Sequence, residues 1–93
     1  MKITEVKIRK LLDTGRLRAV VSVTFDNVFA VHDIKVVQGD SRLFVAMPSR
    51  RESDGSYRDV VHPINSSFRQ MTEQAVLEQY KSEIGQQRFE NES

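Results

Sequence analysis

The amino-acid sequence predicts a single α+β domain in which an antiparallel β-meander of about five strands precedes one C-terminal helix. Three observations predict this fold class. Apolar and polar residues alternate with a period of two in the first half of the chain, short turn segments rich in Asp, Asn, Gly and Ser separate these runs, and apolar residues recur every three or four positions after residue 65. A chain of 93 residues has the size of one domain with one core.

The first two strands are predicted over residues 2–10 and Leu17–Phe25. In the first strand, Thr4, Val6 and Ile8 fall on one face, and charged residues fall on the other. In the second, the odd-numbered residues are all apolar. Between them, Gly15 ends a short polar turn in which it is free to adopt a positive φ. These features predict an antiparallel hairpin.

Three further strands are predicted over residues 28–38, 43–47 and 57–62. The third strand of the chain is apolar at both parities in places, which predicts a central strand covered on both faces. Pro48 ends the fourth strand and Pro63 ends the fifth, because proline cannot donate a ladder hydrogen bond. A meander is the most economical topology for such a series.

The helix is predicted to begin near Asn65, because Asn65 and the two serines that follow it are all competent N-caps. Gly85 supplies the predicted helix end. We therefore expect the domain to span residues 1–85 and residues 86–93 to form a flexible tail. The residues at helical spacing that would face the sheet are Phe68, Met71, Thr72, Ala75, Val76, Gln79, Tyr80 and Ile84.

Composition excludes several function classes. Without cysteine the protein has no disulfide, no thiolate nucleophile and no thiolate metal ligand. The N-terminus alternates charged and apolar residues unlike a signal peptide, and no apolar run approaches the length of a membrane span, so we expect a soluble cytoplasmic protein with no membrane partner. Residues 1–62 carry eleven Lys and Arg against eight Asp and Glu, whereas residues 63–93 carry three against five. The predicted sheet half is therefore basic.

The segment between the fourth and fifth strands is the main functional candidate. It places Arg50, Arg51 and Arg58 around a Ser-Asp-Gly turn, and guanidinium groups can give bidentate hydrogen bonds to phosphate oxygens. An alternative stays open at this point, because Arg50 and Arg51 could instead pair with Glu52 and Asp54 on a solvated turn. The first interpretation predicts a nucleic-acid-binding loop.

The helix start offers a second anion site, because its first turn presents unpaired N–H groups close to Arg69. Helix capping alone explains the same Asn and Ser residues. The candidate nucleic-acid contacts are therefore Arg50, Arg51, Arg58 and Arg69.

Catalysis has little support in the sequence. His32 and His62 lack the spacing of a zinc site, and we expect both to be core or interface histidines bonded to the backbone. No Gly-x-Ser-x-Gly elbow and no glycine-rich phosphate loop is present. We expect no enzymatic activity, cofactor, metal or small-molecule substrate.

Several runs of residues together resemble the SpoVG family, the stage V sporulation protein G family of bacterial regulators. They are Val31-His32-Asp33-Ile34, the run LFVAMPSRR over residues 43–51, Asp54-Gly55, Tyr57-Arg58-Asp59, and HPINSS over residues 62–67. The resemblance covers about residues 1–84, including the early Gly15-Arg16-Leu17-Arg18-Ala19 segment.

This resemblance implies a homodimeric α+β protein that binds DNA, and in some members RNA, as a regulator of gene expression. The family's basic loop maps onto Arg50 and Arg51, and a second motif maps onto Tyr57, Arg58 and Asp59. The sequence departs from the usual pattern at residues 52–53, where Glu-Ser replaces a Thr-Pro step found in many members. We expect this difference to reduce the positive potential of the loop.

Three hypotheses follow from the sequence. The first is a homodimeric regulator that binds nucleic acid mainly through phosphates and therefore with modest sequence preference. The second is a protein-interaction module that offers a sheet edge or helix face and modulates septation or another regulator. The third is a hydrolase or metal-dependent enzyme centred on His32, Asp33 and His62.

Overall fold

The computed structural model describes residues 1–92, with the side chains of residues 1–85. Four strands form an antiparallel meander in which neighbours in the chain are neighbours in the sheet, and two short strands form a separate antiparallel pair. The elements are β1 (Ile3–Leu11), β2 (Leu17–Phe25), β3 (Phe29–Gln38), β4 (Leu43–Ala46), β5 (Ser49–Arg51), β6 (Tyr57–Asp59) and α1 (Ser66–Glu92). The predicted α+β meander with a C-terminal helix is confirmed.

Strand β1 contains two β-bulges, which the strict alternation of apolar and polar residues in the sequence does not predict. Its register against β2 shifts between Ile3 and Glu5 and again between Ile8 and Lys10. Each bulge reverses the inward parity, so Thr4 is exposed, contrary to the prediction, whereas Ile3 and Leu11 join the inner face. The inward residues of β1 are Ile3, Val6, Ile8 and Leu11, and their partners on β2 are Phe25, Val23, Val21 and Ala19.

The helix α1 covers one face of the sheet, which we call the inner face. Val76, Thr72 and Tyr80 are buried against the strands, and the rings of Phe68 and Phe25 lie 5.6 Å apart. No other described strand or helix packs on the opposite face, which we call the outer face. Among the described residues, no helix combines the length and the apolar character that crossing a membrane would require.

The prediction that β3 is a central strand is confirmed, because β3 lies between β2 and β4. The prediction that it is covered on both faces is wrong, because α1 packs only on the inner face. β4 pairs only with the second half of β3, from Lys35 to Gln38, so the first half has no strand on that side. Phe29 is 52% exposed, and β2 is instead the most buried strand. The apolar residues at both parities of β3 therefore do not indicate burial on both faces, because some of them, such as Phe29, stay exposed.

The start of α1 was predicted correctly from the sequence, whereas its end was not. Asn65 caps the helix, because its Oδ1 accepts hydrogen bonds from the Phe68 amide at 2.9 Å and from the Ser67 hydroxyl at 2.6 Å. The helix does not end at Gly85, because one glycine costs a long helix only about 1 kcal/mol. The predicted flexible tail, residues 86–93, falls outside the residues with described side chains and stays a prediction.

Candidate nucleic-acid interface

The predicted arginine loop is a β-hairpin formed by β5 and β6. At its base the Val60 amide donates to the Pro48 carbonyl at 2.8 Å, and near its tip the Glu52 amide donates to the Ser56 carbonyl at 2.7 Å. Gly55 closes the turn with a φ of 90°, which an L side chain rarely adopts. The sequence prediction missed β5, because its residues Ser-Arg-Arg are all exposed and carry no apolar alternation.

The hairpin presents its arginines on two sides. Arg50 lies directly opposite Arg58 on the neighbouring strand, so both side chains project from the same face. Arg51 lies opposite Tyr57 and projects from the other face. All residues of β5 and β6 are exposed, and no other described strand or helix packs against them. The structure therefore gathers three guanidinium groups on a projecting element.

The carboxylates of the hairpin leave two of these arginines unpaired. Glu52 pairs with Arg58, with 3.6 Å between Oε1 and Nε. Asp54 accepts hydrogen bonds from the Ser56 hydroxyl at 2.6 Å and the Ser56 amide at 3.0 Å, which together lower the pKa of Asp54. Within the described residues, Arg50 and Arg51 form no salt bridge. The alternative in which both pair with local carboxylates is therefore not what the structure shows.

Arg69 lies apart from the hairpin. It sits in the first turn of α1, where its amide donates to the Asn65 carbonyl at 3.0 Å, and α1 does not pack against β5 or β6. Since Asn65 caps the helix itself, the capping interpretation accounts for this end. The structure thus groups three of the four predicted arginines and places the fourth on a separate element.

The two histidines occupy different clefts. His32 Nδ1 lies 2.8 Å from the Ser22 hydroxyl, which also accepts a hydrogen bond from Arg9 Nε at 3.2 Å. The expected backbone bond of His32 is thus replaced by a side-chain partner across the strands. His62 instead lines a cleft near the start of α1. No group of three His, Cys, Asp or Glu able to hold a metal ion occurs in the described part of the chain.

The outer face of the sheet carries cations that sequence reasoning did not assign to a site. Lys10 and Lys35 flank Val20 from the two neighbouring strands, and Lys7 lies opposite Ser22. The alternation of residues in the sequence predicted that Lys7 faces solvent. The register of β2 with β1 and β3, which the sequence alone does not reveal, places the lysines of these two strands near one another. A cleft of about 610 Å³ connects this face to the hairpin base and includes Val20, His32, Lys35, Ser49 and Val60 in its lining.

An exposed apolar surface surrounds the segment that leads from β6 into α1. Ile64 is 95% exposed and Val60 is 67% exposed. Adjoining clefts link these residues with Met1, Phe29 and Met71, which are also exposed. An apolar surface of this kind marks an interaction site more often than a freely solvated one.

Fold and site define a small α+β protein with one covered sheet face, one open cationic sheet face and a projecting arginine hairpin. The chain belongs to the SpoVG family, whose family model matches residues 1–82. The resemblance found in the sequence is thereby confirmed.

Relatives named "Putative septation protein SpoVG" match most of the chain. The relative from Caldanaerobacter subterraneus subsp. tengcongensis is 58% identical over 81 residues, which are 87% of this chain and 89% of the relative. The relative from Clostridioides difficile is 52% identical over 86 residues, covering 92% and 94%. The relative from Desulforudis audaxviator is 57% identical over 81 residues, covering 87% and 92%.

Proposed function

We propose that the protein is a homodimeric regulator of gene expression that binds DNA, and also RNA, in the cytoplasm. The observation that carries this proposal is the projecting hairpin, in which Arg50 opposes Arg58 and neither Arg50 nor Arg51 has a carboxylate partner among the described residues. The proposal assigns no catalytic step, cofactor or small-molecule substrate to the protein.

The opposed arginines favour an anionic ligand for an energetic reason. Directly opposite residues of an antiparallel pair have Cβ atoms about 5 Å apart, and like charges at that distance destabilise the pair. Glu52 offsets part of the repulsion through Arg58, at an exposed site where ion pairs contribute little. A phosphate group between the two guanidinium groups would offset the rest. Contacts of this type recognise the backbone, so we expect binding that tolerates many sequences.

Dimerisation is supported by the apolar surface and by a free strand edge. The first half of β3, Phe29–Ile34, has no partner strand on the β4 side. Unpaired edges beside apolar side chains favour pairing with another chain, and a second copy related by a twofold axis is the most common partner. Two copies would also double the positive hairpin surface, which matters because one chain has a net charge of only +1.

The test is a binding titration on duplex DNA with the double variant Arg50→Ala, Arg51→Ala. We expect at least a tenfold loss of affinity (an order-of-magnitude estimate) and a salt slope smaller by about 1.8, because each neutralised phosphate contributes about 0.9. The matched control is Arg42→Ala, Lys81→Ala, which removes the same charge from exposed sites outside the hairpin. Equal effects of the two double variants would argue against the hairpin as the binding element.

A second candidate is a protein-interaction module that modulates septation or another regulator without touching nucleic acid. The free edge of β3 and the nearly 95% exposed Ile64 favour it, because both can receive a protein partner. A pull-down with and without nuclease separates the two candidates. Partners that survive nuclease support the interaction module, and partners that disappear support nucleic-acid binding.

A further inference from the structure

We propose that the outer face of the four-stranded sheet is a track for single-stranded nucleic acid. Lys7, Lys10 and Lys35 would contact its phosphates, and the ring of Phe44 would stack on one base. This inference rests on the proposed nucleic-acid binding and adds to it the form of the ligand and a second contact surface beyond the hairpin.

The register of the sheet sets the spacing of the lysines. Lys10 and Lys35 both lie opposite Val20, on its two sides, so two strand spacings of about 5 Å each place their backbones about 10 Å apart. Lys7 lies opposite Ser22, the next residue of β2 on this face. None of the three lysines forms a salt bridge within the described residues.

Two carboxylates also lie near this face. Glu5 is opposite Thr24, close to the end of β2. Asp33 lies in the bulge of β3 with a φ of 63°, and it lines the same cleft as Lys35. The three lysines and Arg9 outnumber these two carboxylates on the same face. The outer face therefore carries a net positive charge, although the whole chain is nearly neutral.

Phe44 supplies an aromatic surface beside these charges. It precedes Val45, whose side chain is buried on the inner face, so Phe44 projects from the outer face, where it is 44% exposed. Its partner on β3 is Val37, the next residue on that face after Lys35. A partly exposed ring next to a lysine suits an unstacked base with its phosphate, since stacking on aromatic side chains is how many proteins hold single strands.

The shape of the face favours a single strand over a duplex. Helix α1 packs on the inner face and cannot enter a groove from the outer one. Sheets with exposed aromatic and cationic side chains bind unstacked bases of single strands. The cleft lined by Lys35 and Ser49 joins the outer face to the base of the hairpin. The Lys35 end of the track therefore lies near the base of the hairpin.

The experiment compares wild-type protein with two triple variants in titrations against labelled oligonucleotides of one sequence, as single-stranded DNA, single-stranded RNA and duplex DNA. The test variant is Lys7→Gln, Lys10→Gln, Lys35→Gln. The control variant is Lys2→Gln, Arg42→Gln, Lys81→Gln, which removes the same charge elsewhere on the exposed surface. Thermal melting of each variant establishes that it is folded.

We expect the test variant to lose about tenfold or more in affinity for both single strands and to lower their salt slope by about 2, since each phosphate contributes about 0.7 on single strands. Affinity for duplex DNA should change no more than it does in the control variant. Phe44→Leu should weaken single-strand binding about fivefold or more, because stacking on a ring is lost, and Phe44→Tyr should retain it. An oligonucleotide containing 5-iodouracil should cross-link to Phe44 on irradiation.

The outcomes separate this inference from the proposed function. If the test and control triple variants bind single strands equally well, and Arg50→Ala, Arg51→Ala still weakens binding at least tenfold (an order-of-magnitude estimate), the sheet track is overturned and the hairpin function stands. If the test variant loses duplex and single-strand binding equally, preference for single strands on this face is overturned. If the wild-type protein binds none of the three oligonucleotides, both proposals fail.

Discussion

The four-stranded sheet and the hairpin are built from the same kind of antiparallel ladder but differ in what holds them. In the sheet, Val21, Val23 and Val36 are fully buried beneath α1. In the hairpin every strand residue is exposed, and its form is maintained by backbone bonds, the turn at Gly55, the Glu52–Arg58 ion pair and the Asp54–Ser56 hydrogen bonds. Folding energy thus comes from one region, and the other is free to carry charges that a core would not tolerate.

This difference predicts that changes in the two regions have separable effects. Substitutions beneath the helix should lower the free energy of unfolding and reduce binding only through loss of folded protein. Substitutions in the hairpin should change binding and leave the free energy of unfolding almost unchanged. The following variants test that separation.

The largest effect is expected for Ile34→Ala, compared with Tyr57→Ala. Ile34 is 1% exposed, and truncating such a side chain costs about 2–5 kcal/mol of unfolding free energy because it leaves a cavity. Tyr57 is 70% exposed on the hairpin, so its truncation should cost less than about 0.5 kcal/mol. Urea denaturation measures both. Similar costs would show that the hairpin contributes to the fold.

A smaller effect is expected for one substitution made at two matched turns. Gly15 and Gly55 both have positive φ, at 81° and 90°, and an added Cβ meets open space at Gly15 and at most the tip of Arg51 at Gly55. Replacement by Ala imposes backbone strain of about 1–2 kcal/mol at either position. We expect Gly15→Ala to lower the unfolding free energy by about that amount, because its turn joins β1 to β2.

Gly55→Ala should leave the urea midpoint unchanged and instead weaken nucleic-acid binding, because the strain disorders the hairpin without touching the core. Nucleic-acid titration beside urea denaturation makes the comparison. If Gly55→Ala lowered the urea midpoint as much as Gly15→Ala, the two regions would unfold as one cooperative unit.

The smallest effect is expected from acid. The Ser56 hydroxyl and amide lower the pKa of Asp54, so the stabilisation that this carboxylate gives the turn is present above its ordinary pKa of 3.8 and is lost as the pH falls through the lowered value. The Ser56 amide resonance, followed by NMR during an acid titration, should shift with a midpoint below 3.8. Asp54→Ala should remove that transition. A midpoint at or above 3.8 would contradict the observed bonding.

The sequence predicted the strands and the helix start whose spacing of apolar and polar residues follows their burial. β2 has the predicted bounds, because its odd-numbered residues face the helix without interruption, and Asn65 caps the helix as its side chain suggests. β5 was missed because an exposed strand has no apolar period. The inward positions of Ile3 and Leu11 depend on bulges, which the one-dimensional pattern does not reveal.

Some residues of the candidate site could also be predicted from the sequence, and others could not. Local sequence was enough to bring Arg50, Arg51 and Arg58 together, because one turn connects their strands. The lysines of the outer face come from strands far apart in the chain, and only the register of β2 with both neighbours places Lys10 beside Lys35. Arg69 was grouped with the loop by its position near the helix start, which the fold does not support.

The opposition of Arg50 and Arg58 gives dissolved salt two contrary roles. Mobile anions gathering around the pair would relax its mutual repulsion and so tighten the free hairpin. The same ions must be expelled when a polyanion arrives, which weakens the complex. Raising the ionic strength would therefore make the unliganded tip more rigid while making its complexes shorter-lived.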